Sequence, residues 1–230
     1  METADIVNHI IYFTSNDIAE LSLVSKYWNN NVARIRIGDN KNYPDLEDHQ
    51  LKKLVNLTHL DLEKNDKITD KGIKNLINVK TLILFDHHII TNDGVMGLTN
   101  LTRLHMGSMS GNSLITNRGI SNLINLTDLS LFNNDNITDT GLLKLTKLTH
   151  LNLCYNYSIT NEGISHLINL KHLMLNKAKN ITSEVFSNLT NLEYLLGNEN
   201  VSNNVKDLPK LETVDIIDRH NRINRSRFVK

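Results

Sequence analysis

A right-handed α/β solenoid is the fold that this 230-residue chain predicts, on the strength of three observations. Leucine or valine heads a recurring line at Leu57, Val79, Leu101, Leu126, Leu148, Leu170, Leu192 and Leu211, at intervals of 22, 22, 25, 22, 22, 22 and 19 residues. Within a line, apolar residues return at offsets 3, 5, 11, 16 and 19, as in Leu60, Leu62, Ile68, Ile73 and Leu76. Gly72, Gly94, Gly119, Gly141 and Gly163 hold offset 15, until Val185 breaks the run. Self-similarity at a fixed period marks a stack of coils, none of which can bury its leucines alone.

Each position in the line has a physical reading. Offsets 3 and 5 alternate with polar neighbours, so a short strand turns two leucines inward, and the strands of successive coils form a parallel concave sheet. Asn65, Asn134, Asn156 and Asn200 stand at offset 8, where the strand must bend, with His87 and Ala178 in the same place. A buried amide there can satisfy backbone groups that would otherwise cost about 1–3 kcal/mol each. The segment Ile68–Ile73, I-T-D-x-G-I, then starts a short convex helix that Thr69 or Asp70 can cap. The pattern L-x-x-L-x-L-x-x-N resembles the leucine-rich-repeat family over roughly residues 32 to 230. The third line carries three extra residues around MGSMSGNS, residues 106–113, which read as a bulging surface loop. A phosphate-binding loop would need G-x-x-x-x-G-K-[ST], and no lysine stands there. The last line keeps Val214 and Ile216 and then gives way to a basic tail, as a terminal cap would.

The first residues follow another period. Ile6, Val7, Ile10 and Ile11 recur as one helical face, Asp17 with Glu20 suits a second helix start, and Ser25 can cap a third helix carrying Trp28. The segment DIAELSLVSKYW, Asp17 to Trp28, resembles the second half of an F-box, with V-S-K-x-W at the family spacing. Glu2 and Thr3 stand where that family opens with Leu-Pro. The resemblance implies a small three-helix cap over residues 1–38 and a solenoid over 39–230, with a degenerate first coil headed by Val32. It also implies that Ile6, Ile10, Ile18, Leu21, Val24 and Trp28 dock on a Skp-family linker protein of a cullin complex, while the repeats hold a protein substrate. The competing reading is a leucine-rich-repeat interaction module, scaffold or inhibitor, with no ubiquitin role.

Composition narrows the classes. Equal numbers of basic and acidic residues, 25 each, give no global field to favour nucleic acid or an anionic membrane. Arg219, Arg222, Arg225, Arg227 and Lys230 crowd the last twelve residues without an acid, which leaves a body of 20 basic and 25 acidic residues. That cluster reads as a solvated tail or a basic end cap. One cysteine, Cys154, excludes an intrachain disulfide and a cysteine zinc site. No secretory signal pattern and no stretch long enough for a membrane helix is present, so the chain is expected in the cytoplasm, with the nucleus also open to it. The N-x-S/T patterns at Asn56, Asn100, Asn125, Asn136, Asn180 and Asn188 are repeat positions, expected to carry no glycan.

Offsets 2, 4 and 6 should point away from the core and line the concave face. They supply Phe85, Arg103, His105, Phe132, His150, His172, Met174 and Tyr194, whose rings and charges suit a partner protein. Asp128, His150 and His172 share one lane on consecutive strands, the best arrangement for a metal, yet the aspartate must reach about 10 Å at the backbone to meet His172. Cys154 and His150 lie four residues apart on one strand, about 13 Å, too far for a nucleophile and its base. No G-x-S-x-G, H-E-x-x-H or G-x-G-x-x-G occurs. The expectation is a binding protein with no cofactor and no catalytic residue.

Overall fold

The computed structural model describes residues 34–36, 47–111, 113–198, 201, 205–217 and 222–227. The proposed F-box-like positions Ile6, Ile10, Ile18, Leu21, Val24 and Trp28 lie outside them, as does Asn200.

Among the described residues ten strands form one sheet in chain order, β1 to β10. They are β1 Arg34–Arg36, β2 His59–Asp61, β3 Thr81–Ile83, β4 Arg103–His105, β5 Asp128–Ser130, β6 His150–Asn152, β7 His172–Met174, β8 Tyr194–Asn198, β9 Thr213–Ile217 and β10 Ile223–Arg227. The first nine run parallel, and each pairs with the next one coil later, as His150 with His172 and Leu151 with Leu173. Ile35 pairs with Leu60, so the sheet begins upstream of residue 39. Among the described residues six one-turn helices lie opposite the sheet: α1 Asp48–Leu51, α2 Asp70–Ile73, α3 Asn92–Val95, α4 Asn117–Ile120, α5 Asp139–Leu142 and α6 Asn161–Ile164.

The period-22 apolar pattern becomes a continuous core. In the fourth coil Leu126, Leu129, Leu131, Ile137, Leu142 and Leu145 are all 0% exposed. Burial of each such side chain contributes about 1.5–3 kcal/mol, and only stacking with neighbouring coils achieves it. Asn65 and Asn156 are buried at the bend, where each side-chain oxygen accepts from two backbone N–H groups of its own coil. Asn156 also donates to the carbonyl of Asn134 in the preceding coil.

A second ladder joins the helix starts. Thr69, Thr91, Thr116, Thr138 and Thr160 are the N-cap residues of α2 to α6. The following Asp or Asn reaches forward into the next coil instead of serving its own helix. Asp70 Oδ1 accepts from the backbone N–H of Thr91 at 2.8 Å, and Asp139 Oδ1 from that of Thr160 at 2.8 Å. Asn117 does the same for Thr138 at 2.9 Å. The glycine at offset 15 leaves room for this reach. A β-carbon on Gly141 would lie 2.5 Å from Asn117 Oδ1, and one on Gly163 would overlap the Asp139 carboxylate. Where Val185 replaces glycine, the turn winds as a 3-10 helix, Ser183–Ser187, and Asn161 still accepts from Thr182 at 3.0 Å. Gly163→Ala is therefore expected to cost about 1–3 kcal/mol through overpacking. A urea melt of the variant measures this, and an unchanged midpoint would show that the ladder yields without loss.

Three expectations are corrected here. The stretch 106–113 is only in part a surface loop: Met106, Gly107 and Ser108 are buried, and the bulge begins at Met109, which is 70% exposed. Asp86 Oδ1 clamps it by accepting from the Ser108 hydroxyl and the Met109 N–H. The basic C-terminal stretch does not leave the fold after Ile216. It returns as β10, antiparallel to β9, with Arg225 opposite Asp215. Offset 6 lies beyond the three-residue strands, so Gly107 and Cys154 turn inward there.

Four of these N-x-S/T asparagines also have structural work. Asn100, Asn125 and Asn136 donate their side-chain N–H to the carbonyls of Ile77, Thr99 and Ser113 in the preceding coil, and Asn180 donates to Tyr157. A glycan on that nitrogen would replace the hydrogen it donates or push the coils apart.

Candidate protein-binding face

Seven of the eight concave-face residues expected from sequence meet around one depression of about 400 Å³. Phe85, His105, Phe132, His150, His172, Met174 and Tyr194 line it together with Asp128, Ser130 and Asn152. The eighth, Arg103, stands beside it and donates to Asp128 Oδ2 at 2.6 Å.

Parallel pairing places the residues at one offset side by side, about 4.8 Å apart, and that spacing suits ring contacts. His150 and His172 stack, with centroids 4.3 Å apart and planes 8° from parallel. Tyr194 continues the lane, 5.9 Å from His172. A second row crosses the other side of the depression, with Phe85 and Phe132 at 6.0 Å and Phe132 and Tyr155 at 5.4 Å. Tyr155 was not legible as a site residue. It sits at offset 7, where the backbone takes a left-handed turn (φ 59°), and this swings its ring beside Phe132.

The polar groups are already organised. Burial alone would raise the Asp128 carboxyl, but hydrogen bonds from His105 and Arg103 outweigh it and hold the group below its ordinary range. The His105 contact is 3.1 Å long. Partial burial and the neighbouring His150 lower the His172 imidazole. Arg225 grips Asp215 with two bonds of 2.7 Å, holding that carboxyl low, and the Tyr194 hydroxyl donates to it at 3.1 Å. This chain of contacts fixes the Tyr194 ring, itself raised in pKa mainly by burial.

The arrangement does not suit metal or covalent chemistry. The parallel imidazoles of His150 and His172 direct their ring-nitrogen lone pairs side by side rather than to one point, and Asp128 is turned to Arg103 and His105. Among the described residues no group of three His, Cys, Asp or Glu is placed to hold a metal ion. The Cys154 thiol is 4% exposed and burial pushes it up to about 11, so it is protonated at neutral pH. No helix among the described residues is long and apolar enough to cross a membrane.

Comparison with known proteins agrees with this architecture. A family model described as Leucine Rich repeat matches residues 53–77, 122–145 and 144–167, so the coils at those residues are leucine-rich repeats. The chain is similar in structure to internalin C2 of Listeria monocytogenes, with a TM-score of 0.55 and 23% identity over 90% of this chain and 88% of that one. It is also similar to the internalin inlF of the same organism, with a TM-score of 0.54 and 20% identity over 88% of this chain and 68% of that one. At these identities the likeness concerns the fold. No curated protein matches the chain in sequence.

Proposed function

We propose that this protein is an adaptor that holds a protein partner on its concave sheet and links it, through residues 1–38, to a Skp-family protein of a cullin-type ubiquitin ligase in the cytoplasm. The observation that carries the first half is the depression between the two ring rows. Its rings are rigid, only partly buried, and interleaved with Ser130, Asn152 and Asp128. Such a surface suits an apolar or aromatic side chain of a partner, since large ring contacts desolvated at the centre of an interface can each contribute about 2 kcal/mol or more. The second half rests on the segment Asp17 to Trp28 and its likeness to the F-box. The order of that segment followed by leucine-rich repeats supports reading both as one device.

The two halves are separable by experiment. Purified full-length chain is titrated with a purified Skp-family protein, alongside an F-box protein as positive control. Val24→Asp and Ile10→Asp are expected to weaken association by about 1.5–3 kcal/mol, roughly ten- to a hundredfold, and to leave the solenoid folded. Absence of binding where the control binds would remove the ligase link and leave a binding module. For the concave face, His150→Ala and Phe132→Ala should release a partner once one is known. Tyr194 is a poorer probe, because its hydroxyl supports the buried Asp215.

A further inference from the structure

The sheet closes on β10, and every residue of that strand is exposed, Ile223 to 61%. Among the described residues it is the last strand of the sheet, bonded to β9 on one side, and no described strand pairs with the main-chain N–H and C=O groups of its other edge. The strand is long for this protein, at five residues where β1 to β7 have three. Its charge has one sign: residues 222–227 hold three arginines and no acid. The antiparallel register sets Arg225 opposite Asp215 and Arg227 opposite Thr213, and strand alternation puts both arginines on the same face. The two bonds from Arg225 to Asp215 anchor that face of the strand to the solenoid.

An edge of this kind either repels other strands or selects one. A second copy of the chain is disfavoured, because antiparallel pairing of β10 with itself would set rows of arginines against each other. An acidic strand meets no such barrier. We infer that the free edge of β10 takes an extended acidic segment of another protein as an eleventh strand. Main-chain hydrogen bonds hold that segment, and carboxylates at alternate positions lie beside Arg225 and Arg227. This surface is separate from the depression that serves the proposed function, and it stands or falls on its own.

The test uses the full chain and a fluorescein-labelled, acetylated dodecapeptide of alternating threonine and glutamate, with lysine replacing glutamate in a control peptide. At low salt the acidic peptide is expected to bind at least about tenfold more tightly than the basic one. Arg227→Glu should lower its affinity by about tenfold without moving the urea melt. Hydrogen exchange then separates strand addition from ionic contact: amides of residues 223–227 that face away from β9 slow only when a strand is added. No binding, equal affinity for the two peptides, or binding without that protection overturns the inference and leaves the arginines as guards of the edge. Protection that instead accompanies concentration-dependent dimerisation of the chain alone overturns it too, by making a second copy the occupant.

Discussion

Leu151→Asp is expected to break the solenoid in the middle, with a loss of roughly 4 kcal/mol or more. Leu151 is 2% exposed and pairs in register with Leu129 and Leu173, both 0% exposed. A carboxylate there has no counter-charge among the inward leucines, so it must be neutralised or the coil must open. Because coils touch only their neighbours, opening at β6 separates the stack into two shorter ones rather than spreading evenly. Circular dichroism through a urea titration should show an early transition, and limited proteolysis should cut first between residues 145 and 160. A variant that melts with the parent would mean that Leu151 does not face the core.

Lowering the pH from about 6.5 to about 4 is expected to destabilise the protein, with the largest histidine contribution from His87. It occupies the bend position that asparagine holds in other coils, and its Nδ1 accepts from the backbone N–H groups of Ile89 and Ile90 at 3.3 Å each. That geometry requires a lone pair on Nδ1 and leaves the proton on Nε2, which is buried without a hydrogen-bond partner. Burial, assisted by His88 and opposed by Asp70 and Asp66, lowers the imidazole from 6.5 to about 4. The folded protein therefore stays neutral at His87 in a range where the unfolded chain takes up a proton. Stability from this group is complete above pH 6.5 and declines as the pH falls toward 4, by roughly 2–3 kcal/mol at pH 4.5. His87→Asn retains an acceptor for the same two donors and cannot titrate. Urea midpoints of parent and variant should agree closely at pH 7.5 and diverge at pH 4.5 in favour of the variant. Identical pH dependence in both would show that His87 protonates freely in the fold.

The parts of this structure legible in sequence are those that depend on periodicity. A 22-residue shift takes His150 to His172 and Leu151 to Leu173, and the same shift pairs them in the sheet. Lanes at offsets 2 and 4 followed directly, and with them most of the residues around the depression. Contacts that depend on which atoms meet across coils were not legible. The glycine at offset 15 looked like part of a helix signal, yet its role is to accommodate a carboxylate or amide from the coil before, as Gly163 does for Asp139. Nothing within one line reveals that partner. Offset 6 was legible only in part: Phe85 and Phe132 do line the depression, but the strands stop at offset 4 in most coils, and alternation no longer governs where Cys154 points. His87 interrupts the asparagine pattern, and only its hydrogen bonds show that an imidazole can fill the same acceptor role. The arginines at the C-terminus read as a tail or an end cap because no leucine pattern continues; an edge strand held through Arg225 and Asp215 needs none and fits the end cap.

The junction between helix starts has a consequence for how such a chain changes over generations. From Asp48 to Thr182, each coil offers an Asp or Asn forward and a threonine backward, so every seam joins the same two ends. Copying or losing one whole 22-residue line creates a seam of a kind already present, with glycine in place to receive it. Unequal recombination between lines can thus lengthen or shorten the concave face in one event, without a search through single substitutions for new contacts. The seam around Val185 is the exception, because there the receiving glycine is missing. An exchange that moved that line inward would carry a mismatched joint with it, and such a line is best kept near the end of the stack.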